Sequence, residues 1–193
     1  SPRPDYEAVR SADRLRLWLE RLEHSDLFAV DLETSALDYM QAEIVGLSFA
    51  IAPGEACYIP VAHDYPGAPD QLDRDSVLEA VRELLEDPDR PKVGQNLKYD
   101  MSVLARHGIS LNGVQHDTML ASYVLDSTAT RHDMDSLARR YLDWETIRYE
   151  DVAGKGAKQL TFNQVPLEQA TDYAAEDADV TLRLHAHFWP RLQ

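Results

Sequence analysis

Asp31 and Glu33 stand two residues apart at the end of the apolar run Leu27-Phe28-Ala29-Val30. On a strand, residues two apart share a face, so both carboxylates look one way and Leu32 the other. Two such groups repel each other and resist desolvation, and a cation between them removes the conflict. The same spacing also fits a strand that has ended in solvated acids. Asp100 closes the segment Val93-Gly94-Gln95-Asn96-Leu97-Lys98-Tyr99-Asp100. It sits in the first turn of an expected helix, where an Asp also suits the helix dipole. Late in the chain comes Tyr173-Ala174-Ala175-Glu176-Asp177-Ala178-Asp179. A spacing of four puts Tyr173 and Asp177 on one helical face. The three alanines permit close approach to another element, and Glu176 and Asp179 are expected to point elsewhere. A solvated acidic helix is the alternative.

The elements that must position these acids follow from periodicity. Leu15, Leu17, Trp18, Leu19 and Leu22 suit an amphipathic helix from Ala12 to Leu22, and Leu27–Val30 a buried strand running into Asp31. Ile44–Ile51 and Ala56–Val61, separated by Ala52-Pro53-Gly54-Glu55, predict a hairpin. A helix is predicted over Ser76–Leu85 and a short strand at Lys92–Gly94. Asn96 is read as the cap of a helix that stops at Gly108. A further short strand is expected at Val114, with helices over Asp117–Leu125, Asp133–Leu142 and Leu167–Phe188, and a loop at Ala153–Lys158. This order predicts an α/β domain with a mixed sheet and helices on its faces.

The 193 residues carry 34 acidic and 19 basic side chains, a net charge of −15. That argues against a protein that coats DNA nonspecifically, but not against an enzyme that gathers acids around metal ions. Cys57 is the single cysteine, which excludes an intrachain disulfide and a cysteine-based metal site. No apolar run is long enough to span a bilayer, so the expectation is no membrane association and a cytoplasmic location. Residues 1–10 read as an N-terminal tail or linker and residues 11–193 as one domain.

In combination the motifs are far more specific than any one of them. Val30-Asp31-Leu32-Glu33-Thr34-Ser35-Ala36-Leu37-Asp38, the segment ending at Asp100, and the segment from Tyr173 to Thr181 together resemble the proofreading 3′→5′ exonuclease domain of the bacterial DNA polymerase I family. His116–Tyr123, Arg131–Ala138, Gly154-Lys155-Gly156 and Leu160–Gln164 extend the resemblance to nearly the whole chain. It implies a ribonuclease H-like fold with a mixed five-stranded sheet. It also implies that Asp31, Glu33, Asp100 and Asp177 hold two divalent cations: Mg²⁺, with Mn²⁺ or Zn²⁺ as alternatives. Hard oxygen donors agree with that choice. Tyr173, helped by Glu33, would orient the attacking water; a phenol with a pKa near 10 is a poor general base at neutral pH.

Substrate contacts carried over from the family are Thr34, Leu37, Gln95, Asn96, Tyr99, Arg131 and Tyr149. Leu37 matches a leucine that wedges between terminal bases, with core packing as its alternative role. Tyr149 stands where the family commonly has Phe, and its ring can still stack. Arg131 is a fixed cation suited to phosphate. For Gln95 and Tyr99 a structural role is an equal alternative.

The implied activity is hydrolysis of DNA from the 3′ end, releasing nucleoside 5′-monophosphates in replication and repair. The partners would be single-stranded or frayed 3′ ends and a polymerase domain of the same parent chain; a monomer is expected. Two other functions use the same residues. One is a ribonuclease D-like 3′→5′ exoribonuclease. The other is a non-catalytic domain that supports a polymerase or binds DNA.

Overall fold

The computed structural model describes residues 3–117 and 134–192. Its sheet has six strands: β1 (Glu7–Ala8), β2 (Phe28–Thr34), β3 (Ile44–Ala52), β4 (Glu55–Pro60), β5 (Lys92–Gly94) and β6 (Val114–Asp117). Their spatial order is β1-β4-β3-β2-β5-β6. β2, β3 and β4 run antiparallel, with Asp31 opposite Ser48 and Glu33 opposite Gly46. β5 and β6 add in parallel on one side and β1 on the other. The sixth strand is the difference from the five expected. It comes from the segment read as a tail, where Tyr6 and Val9 are buried and Val9 N–H donates to the Tyr58 carbonyl at 2.8 Å. Two apolar side chains within four residues give that segment enough to dock.

Among the described residues six α-helices cover the faces: α1 (Ala12–His24), α2 (Arg74–Glu86), α3 (Leu97–Arg106), α4 (Met134–Leu142), α5 (Tyr149–Ala153) and α6 (Leu167–Leu192). α1 opens at Ser11 and α2 at Asp73, whose side chains accept from the backbone N–H of Arg14 and Ser76. α3 does not follow this pattern. Asn96 is at its cap position, but with φ 53° and ψ 51° it makes no side-chain capping bond. The left-handed backbone turns the chain from β5 into α3 instead, a conformation Asn tolerates better than most residues. The expected Ala153–Lys158 loop holds the end of α5 and a 3₁₀ turn at Gly156–Lys158. The expected helix from Asp117 to Leu125 runs outside the described residues.

Alternation along β2 separates two layers. Phe28, Val30 and Leu32 enter the main core with Trp18, Leu22, Val81, Val103 and Leu104 from α1, α2 and α3. Ala29 faces the other way and packs with Ala50, Ala56 and Val93 against Ala175, Ala178 and Leu182 of α6. Small residues on both surfaces let α6 lie close over β2, β3 and β4. Its other faces are covered too. Ala170 and Ala174 meet Phe162 and Tyr58, while Val180, Leu184 and Phe188 meet α4. α6 is thus a central helix, and that placement brings Asp177 over the acids of β2.

Candidate active site

Asp31 and Glu33 lie on the α6 side of β2, half-buried, with Leu32 in the opposite core. Asp177 meets them from above. One carboxylate oxygen from each of these three residues lies within 4.8 Å of the others. Asp100 is outside this tight group. It is 5 % exposed, on the first turn of α3, and its charge acts on both Glu33 and Asp177.

The electrostatics record how crowded this is. Burial raises Asp31 to about 6. Burial holds Glu33 well above the carboxylate range, and the charges of Asp31, Asp177 and Asp100 add to it. Asp177 rises for the same reasons, burial first and then Asp31 and Asp135. Glu33 shares hydrogen bonds with both Asp31 and Asp177. Such a group has more negative charge than its surroundings can solvate. Three hard oxygen donors at this spacing fit a divalent cation.

Tyr173 lies one turn before Asp177, half-buried, its hydroxyl pushed far above its ordinary value by burial and then by Asp177 and Glu33. It therefore stays protonated at any working pH. Its ring meets the edges of Tyr149 and Phe162 at centroid distances of 6.0 and 5.7 Å. Tyr149 donates its hydroxyl proton to the Leu160 carbonyl at 2.8 Å. The hydroxyl that departs from the family's usual Phe is thus satisfied inside the protein, and the ring stays available to the cleft.

That cleft, of about 590 Å³, is lined by Glu33, Thr34, Leu37, Tyr99, Tyr149 and Tyr173 among others. Leu37 is 98 % exposed, which removes the core-packing alternative for it. The turn that presents it is fixed from below. Tyr99 donates to the Ala36 carbonyl at 2.5 Å, and Thr34 Oγ1 lies 2.8 Å from the Tyr99 oxygen. Tyr99 and Thr34 therefore have a structural task at the cleft wall. Gln95 is half-buried and Asn96 exposed, at the β5–α3 turn. Arg131 lies outside the described residues, as does His132.

The two other acids of the α6 motif are buried and partnered within the fold. Glu176 is fully buried, accepts from Ile147 N–H at 2.7 Å and pairs with Arg3. Asp179, also buried, accepts from the Tyr6 hydroxyl at 2.6 Å, Gly54 N–H at 3.0 Å and Arg183 at 3.0 Å. They fasten distant segments to α6, so the solvated-helix alternative does not hold.

Two contributors had no role assigned from the sequence. Asp135 on α4 accepts from Thr146 Oγ1 at 2.6 Å, and its charge acts on Asp177 and Tyr173. Phe162 sits directly behind Tyr173. Both fall in segments that carry the family resemblance, Arg131–Ala138 and Leu160–Gln164, but neither has a spacing that would single it out.

A family profile described as 3′–5′ exonuclease matches residues 6–193. DNA polymerase I of Pseudomonas aeruginosa is 60 % identical over 191 residues, covering 98 % of this chain and 21 % of that protein. DNA polymerase I of Rhizobium leguminosarum is 43 % identical over 204 residues, covering 97 % of this chain and 20 % of the relative. The chain thus spans about a fifth of the length of these curated relatives. Among solved structures, Trypanosoma brucei RNase D in complex with RNA U12 superposes with a TM-score of 0.75 at 18 % identity, covering 96 % of this chain and 62 % of that one. At that identity the likeness speaks for the fold alone.

Proposed function

Because the chain belongs to the 3′–5′ exonuclease family of bacterial DNA polymerase I, we propose that it removes nucleotides from DNA 3′ ends as the proofreading domain of a polymerase chain. The observation that carries this reading is the meeting of Asp31, Glu33 and Asp177 within 4.8 Å beneath a cleft that also holds Tyr173.

Asp31, Glu33 and Asp177, with Asp100 beside them, would hold two divalent ions, Mg²⁺ first among them. Bound there, the ions supply the positive charge that activates water and balances the attacking and leaving oxygens of an in-line displacement. The protein's own groups do the rest. Tyr173, held protonated, donates a hydrogen bond that orients the attacking water and leaves proton abstraction to other groups. Glu33, beside Tyr173, would accept a hydrogen bond from that water and help to orient it. Leu37, projecting from a fixed turn, wedges between the last bases. The Tyr149 ring stacks on the terminal nucleotide, and Arg131 pairs with a backbone phosphate. The products are nucleoside 5′-monophosphates. The reading places the domain in the bacterial cytosol, as a monomer in a chain with a polymerase region.

The test is shortening of 5′-labelled single-stranded DNA and RNA with Mg²⁺. Wild type should trim DNA from the 3′ end, EDTA should stop it, and Asp31→Ala and Asp177→Ala should abolish it. Unchanged release by those variants would show that the site is misassigned. RNA digested much faster than DNA would favour the exoribonuclease reading.

A further inference from the structure

Phe162 is buried to 1 % exposure in a 3₁₀ turn over Phe162–Gln164 and touches four other rings. With Tyr149 and Tyr173 it forms a closed triangle. Phe162–Tyr173 is 5.7 Å at 83°, Phe162–Tyr149 6.3 Å at 88° and Tyr149–Tyr173 6.0 Å at 71°, each edge to face. Edge-to-face contact is the arrangement ring quadrupoles favour, and it fixes orientation as well as distance. Behind the triangle, Phe162 stacks on Tyr58 at 6.1 Å and 5° and meets His63 edge-on at 5.7 Å.

This backing is itself tied down. The Tyr58 hydroxyl is 2.8 Å from His63 Nε2, and His63 Nδ1 is 3.1 Å from the Val165 carbonyl. Asp64 N–H donates to the Asn163 carbonyl at 3.1 Å, and Asn163 returns a bond to the Asp64 side chain at 2.7 Å. Tyr58 cannot retreat toward β3 either. Its ring lies flush on Gly46 of that strand, where a Cβ would come within 2.3 Å of the ring atoms, so the backbone itself backs it. The Phe162 ring is thus held by a rigid frame and passes that rigidity forward to Tyr173.

We infer that Phe162 is a positioning residue for the reaction: it fixes where the Tyr173 hydroxyl stands over the carboxylates. Phe162 has no polar side-chain atom and almost no exposed surface, so it acts on chemistry through what it packs against: the rings, and Ala170 and Ala174 on the α6 turns that carry Tyr173. A flat side chain is needed here. Leucine fills similar space but offers no face or edge, and leaves Tyr173 free to pivot. The inference rests on the reading that the Tyr173 hydroxyl orients the attacking water.

The experiment is a double-mutant cycle on Mg²⁺-dependent nucleotide release from short single-stranded DNA. The variants are Phe162→Leu, Tyr173→Phe, both together, and Phe188→Leu as the control. Phe188 is equally buried on α6, about four turns away among α4 contacts, so it senses folding without sensing Tyr173. Thermal midpoints are recorded for each. Phe162→Leu should lower kcat about tenfold, since small misplacement of a positioning group is costly. KM should move less than kcat. In the Tyr173→Phe background the same change should cost less than about twofold, because there is no hydroxyl left to misplace. Phe188→Leu should lower the midpoint while kcat holds. If Tyr173→Phe alone matches wild type, the water-positioning reading fails. If Tyr173→Phe is slow and Phe162→Leu still costs tenfold on top of it, that reading stands and the positioning role of Phe162 is overturned. A kcat loss in Phe188→Leu equal to that in Phe162→Leu also overturns it, because the effect would then be one of general stability.

Discussion

A single carboxylate in this site is destabilising until a cation arrives. Asp31 titrates near 6 in the folded, metal-free protein, against an ordinary value of 3.8. The folded state therefore keeps a proton that the unfolded chain releases between about pH 4 and 6. Stability falls as pH rises through that window, and the cost is fully present above it. Asp31→Asn removes the charge while keeping the shape. In EDTA at pH 7.5 we expect this variant to be more stable than wild type by about 1–3 kcal/mol in urea denaturation. Mg²⁺ should raise the midpoint of wild type more at pH 7.5 than at pH 5, because below pH 6 it must compete with protons. A variant no more stable than wild type in EDTA would mean that these acids are well solvated and the cluster is not strained. A residue proposed to bind metal is thus also one whose replacement should strengthen the metal-free fold.

At the scale of elements, the segment behind the site depends on one neutral imidazole. His63 joins β4, through Tyr58, to the Val165 carbonyl just before α6. Burial depresses its pKa from 6.5 to about 4. A depressed histidine contributes stability above its unfolded value and loses it as pH falls toward the folded one, here from about 6.5 down to 4. The contribution at stake is about 2–4 kcal/mol. Subtracting the urea midpoints of His63→Gln from those of wild type cancels the opposite trend of the acids. The difference should shrink steadily from pH 7 to pH 4.5; a flat difference would show that His63 is protonated at no cost. His63 also shows why parts of this architecture were legible in the sequence and parts were not. The helix over Arg74–Glu86 followed from the 3.6-residue period of Val77, Leu78, Val81 and Leu85, and the face shared by Asp31 and Glu33 from a period of two. Those signals are local. Glu176, Asp177 and Asp179 look alike in sequence, and what separates them is partners such as Ile147, Arg3, Tyr6 and Gly54, which reach them from far along the chain. The docking of Glu7–Ala8 beside β4 and the role of Phe162 are likewise products of packing, with no periodic signature. Leu37 was ambiguous for a related reason: a leucine after a strand reads as core until its turn is seen to point outward.

The 193 residues carry a net charge of −15, and in the proposed function they still have to hold a polyanion. Long-range attraction cannot supply the affinity, because the summed field of the domain repels phosphate. What the cleft offers instead is rings and apolar surface: Tyr149, Tyr99, Tyr173 and the exposed Leu37. Base stacking of this kind is worth about 1–3 kcal/mol per base and is nearly independent of salt. The proposed substrate contact is therefore short and terminal, with one or a few phosphates neutralised. Each phosphate contact on a single strand contributes about −0.7 to the slope of log affinity against log salt. For this domain the slope should lie between about −0.5 and −2. The measurement is the equilibrium affinity for a labelled single strand across a KCl series, with Ca²⁺ in place of Mg²⁺ to hold cleavage back. Tyr149→Ala should weaken binding at every salt concentration and leave the slope unchanged, whereas Arg131→Ala should flatten it. A slope steeper than about −4 would reveal an extended cationic track and would overturn the view that stacking at the 3′ end, and not backbone charge, selects the substrate.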